Sequence, residues 1–492
     1  MKNLSLANIA KAVNGTLFGA DSFLETKEAA GVVIDSRKVE EDYLFIAVKG
    51  ERVDGHDFIE DVFAKKALCV ICEKKPDIDK SDTDKSNINE SDIHKLNGVR
   101  PYILVKSSLQ ALKDIAAFYR ESLDIKIVGI TGSVGKTSTK EFIASVLAQK
   151  FRVLKTEGNF NNEIGVPLTL LSIRDFHEVA VVEMGISDFG EMHRLSYMAK
   201  PDVCVMTNIG LCHLENLGSR DGILKAKSEI FDFAAENCYA VLNKDDDKLS
   251  TIPENRTAHN CLNKVKKYIF YGMQKEEKKG DVYAENIKTN GIYGTESTIC
   301  FTHGDGTREK IEVSFNLPGR HMVYNAMAAI AVGSLFDMDS EDMKRGIEAI
   351  KSVGSRLNIV ETGKFTVIDD CYNANPVSMK SSIDVLESAD TRKVAVLGDM
   401  FELGADEKKL HYEVGTYLGE KKIDTAFLVG ALSENIYQGL KDSSKNMECY
   451  YYHTVDDLMM FLDLMVRQGD TILVKASHAM HFERIVEKLQ EL

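Results

Sequence analysis

The sequence predicts an α/β protein built as three successive units, and three observations carry that expectation. The run Ile125-Lys126-Ile127-Val128-Gly129-Ile130-Thr131-Gly132-Ser133-Val134-Gly135-Lys136-Thr137 passes from β-branched residues to regularly spaced glycines, and Phe142, Ile143, Val146 and Leu147 follow at helical spacing. That order reads as strand, phosphate loop and helix. From about residue 354 onward, apolar runs alternate with helical patterns, the signature of a parallel sheet with crossover helices. A chain of 492 residues also suits about three domains. The expected units are 1–107, 108–353 and 354–492.

The composition, 44% hydrophobic and 28% charged, is that of a globular protein with large cores. A net charge of -15 argues against general affinity for nucleic acid or anionic lipid, so an anionic ligand must be held by local groups. The opening Met1-Lys2-Asn3-Leu4-Ser5-Leu6-Ala7-Asn8 is too polar for a signal peptide, and no apolar run nears the ~20 residues of a membrane span. A cytoplasmic protein without membrane insertion is expected. Nine cysteines, an odd number scattered mostly through apolar runs, fit reduced thiols. Cys69-Val70-Ile71-Cys72 has redox or zinc spacing, yet it lies in what reads as a buried strand and has no second pair.

In the first unit, 31–34 and 43–48 read as strands, with little helix beyond the opening segment. Asp35-Ser36-Arg37 closes the first strand. The loop Gly50-Glu51-Arg52-Val53-Asp54-Gly55-His56-Asp57 follows the second, either as a ligand site or as a solvated turn. The stretch 76–98, dominated by Asp, Lys, Ser and Asn, buries too little apolar surface to offset its ordering entropy and reads as a flexible insertion. An amphipathic helix from Ser108 to about Glu121 then leads into the phosphate loop.

The second unit carries the chemistry. Gly132, Ser133, Val134 and Gly135, with Ser138 in the first helical turn, can close backbone N–H groups around the phosphates of a nucleoside triphosphate. Lys136 can reach the terminal phosphates and Thr137 can hold magnesium. The general pattern is shifted by one place, since its first glycine falls at Gly129 and not at position 130. Between Lys155 and Pro167, Asn159, Asn161 and Asn162 with two glycines make a poor core and a good ligand loop. The run 179–183 is an apolar strand ending in Glu183, and ligands gather at the carboxyl ends of such strands, which places Glu183 to hold the metal beside Thr137.

A further strand at 203–207 leads to His213, either an ordinary loop histidine or a ligand. Lys225 and Lys227 read by themselves as a solvated helix face, and 263–313 as β-hairpin material. Pro318-Gly319-Arg320-His321-Met322-Val323-Tyr324-Asn325 opens a small-residue helix whose first turn carries donors for a nucleotide base. In the third unit, strands are expected at 365–370, 393–399, 425–430 and 470–475. Aspartates at the first two strand ends, Asp370 and Asp399, suit ribose hydroxyls or substrate amines. No Gly-x-Gly-x-x-Gly follows any of them, which disfavours a dinucleotide site.

Together these pieces resemble the Mur ligase family, the ATP-dependent amino-acid-adding enzymes of peptidoglycan synthesis. Thr131 to Thr137 has the family's Thr-Gly-x-x-Gly-Lys-Thr spacing, which explains the shifted glycine. The resemblance covers nearly the whole chain. It implies a three-domain Mur ligase architecture: a small N-terminal α/β domain, a central P-loop ATPase-like domain and a C-terminal Rossmann-like domain. Gly158-Asn159-Phe160-Asn161-Asn162-Glu163-Ile164-Gly165-Val166-Pro167, Tyr372-Asn373-Ala374-Asn375-Pro376 and the 396–404 segment are similar to the branch that adds D-alanyl-D-alanine to a UDP-N-acetylmuramoyl-tripeptide.

What the resemblance implies goes beyond the residues themselves. ATP and Mg2+ are the implied cofactors, and Lys136, Glu183, His213 and Lys227 the implied catalytic set. Glu183 and His213 match magnesium ligands, and Lys227 matches a lysine that is carbamylated in several sister enzymes and serves a second magnesium. Ser36, Arg37 and His56 match segments that hold the UDP end of the substrate, with Asn161, Asn162, Tyr372 and Asn373 as further substrate-binding positions. Asn325 matches a residue at the adenine, while Arg356 and Asp370 match third-domain groups that close over the nucleotide. Many relatives read Gly-x-His-Asn where this chain has Gly319-Arg320-His321-Met322, one amide fewer near the base. A monomer is expected. Two rivals stay open: a sister amide ligase adding one amino acid, or a folate polyglutamylase; and a non-catalytic, nucleotide-dependent binding protein.

Overall fold

The computed structural model describes residues 1–76, 100–257, 260–273, 281–303, 306–444 and 447–492. Apart from Pro76, the expected insertion at 76–98 lies outside the described residues. Three sheets organise the rest.

The first sheet has the order Thr16–Phe18, Tyr102–Leu104, Cys69–Cys72, Tyr43–Ile46, Gly31–Val33, parallel except at the first edge. It carries more helix than the sequence suggested, with short segments at Ser22–Thr26 and Ile59–Ala64. Both are under two turns, too short for a helical period to show. Cys69 and Cys72 are fully buried in their strand, and burial pushes the Cys72 thiol up to about 11 and Cys69 further, so neither is poised as a thiolate.

Nine strands form the central sheet, and the phosphate-loop strand Lys126–Thr131 lies inside it between Val179–Glu183 and Val203–Met206, all parallel. Burial on both faces explains why these strands read as continuous apolar runs. Beyond Val203–Met206 come Cys238–Asn243 and Val265–Gly272. The latter was expected as part of a hairpin, but it pairs in parallel on one side with Cys238–Asn243 and on the other with Val282–Thr289. Only 282–315 forms an antiparallel meander. An alternating pattern fixes which face is buried and leaves strand direction open.

One face of this sheet is covered by Lys136–Leu147 and Met322–Leu335, whose Phe142, Val146, Val323 and Ile330 are fully buried in one cluster. Each such side chain is worth about 1.5–3 kcal/mol of burial. The other face is covered by Ser108–Glu121, Gly165–Leu171 and Glu191–Ala199. Ile115 and Leu112 share that second cluster with Ile71 and Ile103 of the first sheet and Ile9 of the helix Leu6–Ala12, so one amphipathic helix joins two sheets.

The third sheet has the order Asn358–Glu361, Thr366–Asp369, Thr471–Lys475, Lys393–Gly398, Thr425–Val429, Glu448–Tyr452, parallel except at the first edge. The four inner strands are the expected ones. The two edge strands are half-exposed and were not expected: Asn358–Glu361 carries only two apolar residues, while the Cys and three Tyr of Glu448–Tyr452 were a strand signal that went unread. Among the described residues, no helix is long and apolar enough to cross a membrane.

Candidate active site

The phosphate loop leaves Lys126–Thr131 at Gly132 (φ +146°) and enters the helix Lys136–Leu147 at Gly135 (φ +81°). A Cβ at Gly132 would stand 1.9 Å from Thr207 Oγ1, so the turn admits only glycine. The next strand's end clamps the loop. Ser133 N–H donates to the Asn208 carbonyl (2.9 Å), Val134 N–H donates to Asn208 Oδ1 (3.0 Å), and Thr207 Oγ1 donates to the Val134 carbonyl (2.6 Å). The N–H groups of Gly135, Lys136, Thr137 and Ser138 keep no partner among the described residues, and they open the helix. Free N–H groups at a helix start form an anion site. Lys136 Nζ rests on the Gly132 carbonyl at 2.9 Å.

Glu183 ends the neighbouring strand with its carboxylate over this turn and is 1% exposed. Oε2 accepts from Thr137 Oγ1 at 2.8 Å, Oε1 from Asn161 Nδ2 at 2.9 Å, and its backbone N–H donates to Thr156 Oγ1 at 3.0 Å. Lys140 Nζ lies 3.9 Å from Oε2 and donates to the Thr156 carbonyl at 2.6 Å. Asn162 Oδ1 caps Gly165–Leu171, accepting from the Ile164 and Gly165 N–H groups. A hydroxyl and a carboxylate oxygen side by side at a phosphate loop fit magnesium, which takes few protein oxygens and completes its shell with phosphate and water. No cluster of three or more His, Cys, Asp or Glu able to hold a metal occurs among the described residues.

His213 stands in the left-handed region (φ +55°), caps Leu214–Leu217 and places Nδ1 2.7 Å from Glu402 Oε2 of the third domain. Lys227, on Arg220–Ser228, is 1% exposed, with no hydrogen-bond or ion-pair partner among the described residues. Burial, helped by the positive charge of Lys136, pushes its amine down to about 7. Of the two lysines expected on a solvated face, Lys225 is exposed and Lys227 is interior. Cys212 links the loop to the third domain: its Sγ donates to the Ser133 carbonyl at 3.4 Å and accepts from Asn375 Nδ2 at 3.5 Å.

The third domain supplies the opposite wall. The Arg356 guanidinium stacks over the Tyr372 ring, 4.2 Å from its centroid. Asp370 is buried and already engaged: Oδ2 accepts from Lys475 Nζ (2.6 Å) and Ser382 Oγ (2.5 Å), and Oδ1 from the Leu357 N–H (3.1 Å). Lys475 also donates to the Asn373 carbonyl at 3.0 Å. Asn375 forms a capping box with Ser378 at the start of Pro376–Glu387, so part of the Tyr372-Asn373-Ala374-Asn375-Pro376 segment serves a helix start. Asp399, expected near a ligand, is consumed instead by the Leu432 N–H, the Ser433 N–H and the Ser433 hydroxyl.

A cavity of about 780 Å³ separates these walls. It is lined by Ser133 to Ser138, Asn161, Asn162, Glu183, His213, Asn325, Arg356, Asp370, Tyr372 and Asn373. Asn325 accepts from Thr139 Oγ1 at 2.9 Å and donates toward Met322 Sδ at 3.3 Å, which ties its helix to the phosphate-loop helix. Gly132 and Lys227 lie behind the lining. Ser36, Arg37 and His56 are not brought to this cavity. Arg37 is exposed and forked onto Asp35, whose carboxyl it holds down at about 2. His56 has both ring nitrogens engaged, Nδ1 with Asp54 (2.6 Å) and Nε2 with the Glu73 N–H (3.0 Å), and the Ser36 carbonyl accepts from Lys65 Nζ (2.7 Å).

Several lining groups were missed. Asn208 and Thr207, which shape the loop, and Lys475 all follow or end an apolar strand, and a polar residue there was the available signal. Tyr324 and Asp245, joined at 2.7 Å, carry no sequence pattern that links them.

The chain matches three family models: "Mur ligase family, catalytic domain" at 28–120, "Mur ligase middle domain" at 130–333 and "Mur ligase, glutamate ligase domain" at 355–478. It is 38% identical over 492 residues to the Bacillus subtilis UDP-N-acetylmuramoyl-tripeptide--D-alanyl-D-alanine ligase, covering 99% of this chain and 98% of that protein. It superposes on a crystal structure of MurF from Acinetobacter baumannii with a TM-score of 0.82 at 29% identity, covering 99% of each chain. On MurF from Thermotoga maritima in complex with ADP the TM-score is 0.74 at 30% identity, covering 94% of this chain and 97% of that one. The chain belongs to the Mur ligase family, on the branch whose curated members are UDP-N-acetylmuramoyl-tripeptide--D-alanyl-D-alanine ligases.

Proposed function

We propose that the chain is an ATP-dependent ligase that joins D-alanyl-D-alanine to UDP-N-acetylmuramoyl-tripeptide through an acyl phosphate, giving the pentapeptide precursor of peptidoglycan. One observation carries the reading: the free N–H groups of Gly135 to Ser138 and the Thr137–Glu183 pair face the Tyr372-Asn373 segment across one cavity. The domain roles that accompany it come from the family likeness. Residues 1–107 bind the UDP end through Ser36, Arg37 and His56, 108–353 bind ATP, and 354–492 deliver the dipeptide amine.

The tripeptide carboxylate is a poor acyl donor and must first take the γ-phosphoryl group of ATP. The loop N–H groups hold the phosphates in place, and Lys136 leaves the Gly132 carbonyl to neutralise charge on the transferring group. Magnesium, when bound, supplies further positive charge to the phosphate oxygens, and Thr137, Glu183 and His213 are the residues to hold it. Asn161 fixes the Glu183 carboxylate in orientation. Arg356 and Tyr372 close over the nucleotide from the third domain, and Asn325 stands at the base. With water kept from the acyl phosphate, the dipeptide amine displaces phosphate through a tetrahedral intermediate.

Lys227 suits carbamylation, since a buried amine near neutrality can attack CO2, forming an N–C bond as a proton leaves. The product is a carboxylate able to join Glu183 and His213 as a second-magnesium ligand. The enzyme acts as a cytoplasmic monomer, which sedimentation would check.

The deciding experiment is phosphate release from ATP and magnesium with the UDP-tripeptide, with and without D-alanyl-D-alanine. Release that needs both partners, with a pentapeptide product by mass, is the expected result. Release that follows a single amino acid or a folate would move the chain to a sister activity, and no release would leave a binding protein.

A further inference from the structure

The histidine on the magnesium wall is gripped from another domain. His213 belongs to the central domain, and its Nδ1 lies 2.7 Å from Glu402 Oε2 of the third. Nε2 of His213 has no partner among the described residues, and Glu402 has no side-chain partner there other than His213. Both residues hold left-handed backbone, at φ +55° and +63°; histidine, like Asn and Asp, is among the residues enriched there, whereas glutamate is uncommon. Such a conformation persists where surrounding structure enforces it.

The enforcement is visible around Glu402. The Asp399 carboxylate accepts from the Ser433 N–H at 2.7 Å, the Met400 N–H donates to His411 Nε2 at 2.9 Å, and the Phe401 N–H donates to Ser477 Oγ at 2.9 Å. Two residues on, Gly404 (φ +64°) lies against the segment after His213: a Cβ there would stand 3.4 Å from the Glu215 backbone, in ordinary van der Waals contact. Glu402 is therefore the tip of a loop fixed on both sides and seated on the segment that carries His213. As an ion pair it is worth little, because the Glu402 side chain is 60% exposed. Its chemical effect is larger. An imidazole that donates Nδ1–H to a carboxylate has its Nε2 lone pair free for a metal, and such carboxylate partners set the orientation of metal-binding histidines.

We propose that Glu402 is a positioning residue for the magnesium site: reaching from the third domain, it fixes His213 as the Nδ1–H tautomer with Nε2 free for the ion. The site is then complete only while the third domain is docked. This rests on the reading of His213 as a magnesium ligand.

The test measures Mn2+ binding by electron paramagnetic resonance, in the full chain with ADP present, for the wild type, Glu402→Ala, Glu402→Gln and His213→Ala. Magnesium dependence of turnover at saturating ATP is measured beside it. Glu402→Ala should weaken Mn2+ binding about tenfold and raise the magnesium concentration for half-maximal rate in step. Glu402→Gln should recover most of the affinity, because the amide carbonyl still accepts from Nδ1–H. Wild-type Mn2+ affinity in Glu402→Ala, or equal losses in the Ala and Gln variants, overturns the proposal. If His213→Ala binds Mn2+ as the wild type does, the ligand reading of His213 itself has failed. If only His213→Ala loses affinity, that reading stands and the positioning role of Glu402 falls.

Discussion

The Thr137 hydroxyl donates a 2.8 Å hydrogen bond to Glu183 Oε2, joining the first turn of the phosphate-loop helix to the end of the adjacent strand. Under the proposed function these two oxygens share a magnesium ion; they already stand at contact distance, with the free N–H groups of the loop beside them. Lys136→Ala and Glu183→Ala should each lose about a hundredfold or more in turnover, the usual cost of one electrostatic contact to a transferring group. Both should keep native circular dichroism. Near-full turnover in either folded variant would remove the magnesium-phosphate assignment.

Gly132→Ala tests the loop's shape. Its new Cβ would collide with Thr207 Oγ1, and its φ of +146° is closed to alanine. A stability loss of about 1–3 kcal/mol is expected, together with weaker ADP binding in calorimetry. Wild-type melting and ADP affinity would show that the loop relaxes freely.

Lys227 links burial to pH. An amine whose pKa in the fold is pushed down to about 7 from an ordinary 10.5 costs stability wherever the unfolded chain is protonated. The cost is absent above the unfolded value, grows as pH falls, and is fully developed below about 7. Lys227→Met should therefore stabilise the protein by roughly 2–4 kcal/mol near neutrality in CO2-free buffer, since each tenfold change in proton affinity is worth about 1.4 kcal/mol before relaxation. The gain should shrink toward pH 10 while turnover is lost at every pH. Denaturant titrations at several pH values measure it, and a gain independent of pH would contradict the assignment.

Asp370→Asn separates scaffold from ligand contact. With Lys475, Ser382 and the Leu357 N–H on its oxygens, Asp370 balances a buried lysine. The variant should lose about 3 kcal/mol of stability, read as a lower melting temperature without nucleotide. Unchanged melting with only a raised KM for ATP would make Asp370 a nucleotide contact first.

The strand, loop and helix at 126–147, the inner strands of the third domain and the carboxylate at the end of 179–183 were legible in the sequence. Each is written in neighbouring residues: β-branched runs, glycines and a helical period. The family motifs, which led to the chemistry, are equally local. Other features exist only once distant segments meet. Whether Lys227 faces water or an interior depends on what packs over its helix, and that comes from strands and loops far along the chain. The parallel direction of Val265–Gly272 depends on its neighbours, and a period of two is the same read either way. Asp399 and Asp370 look alike in sequence, two acids at strand ends. One caps a helix and the other holds Lys475 at the cavity wall, because different side chains arrive there from positions that no local pattern links.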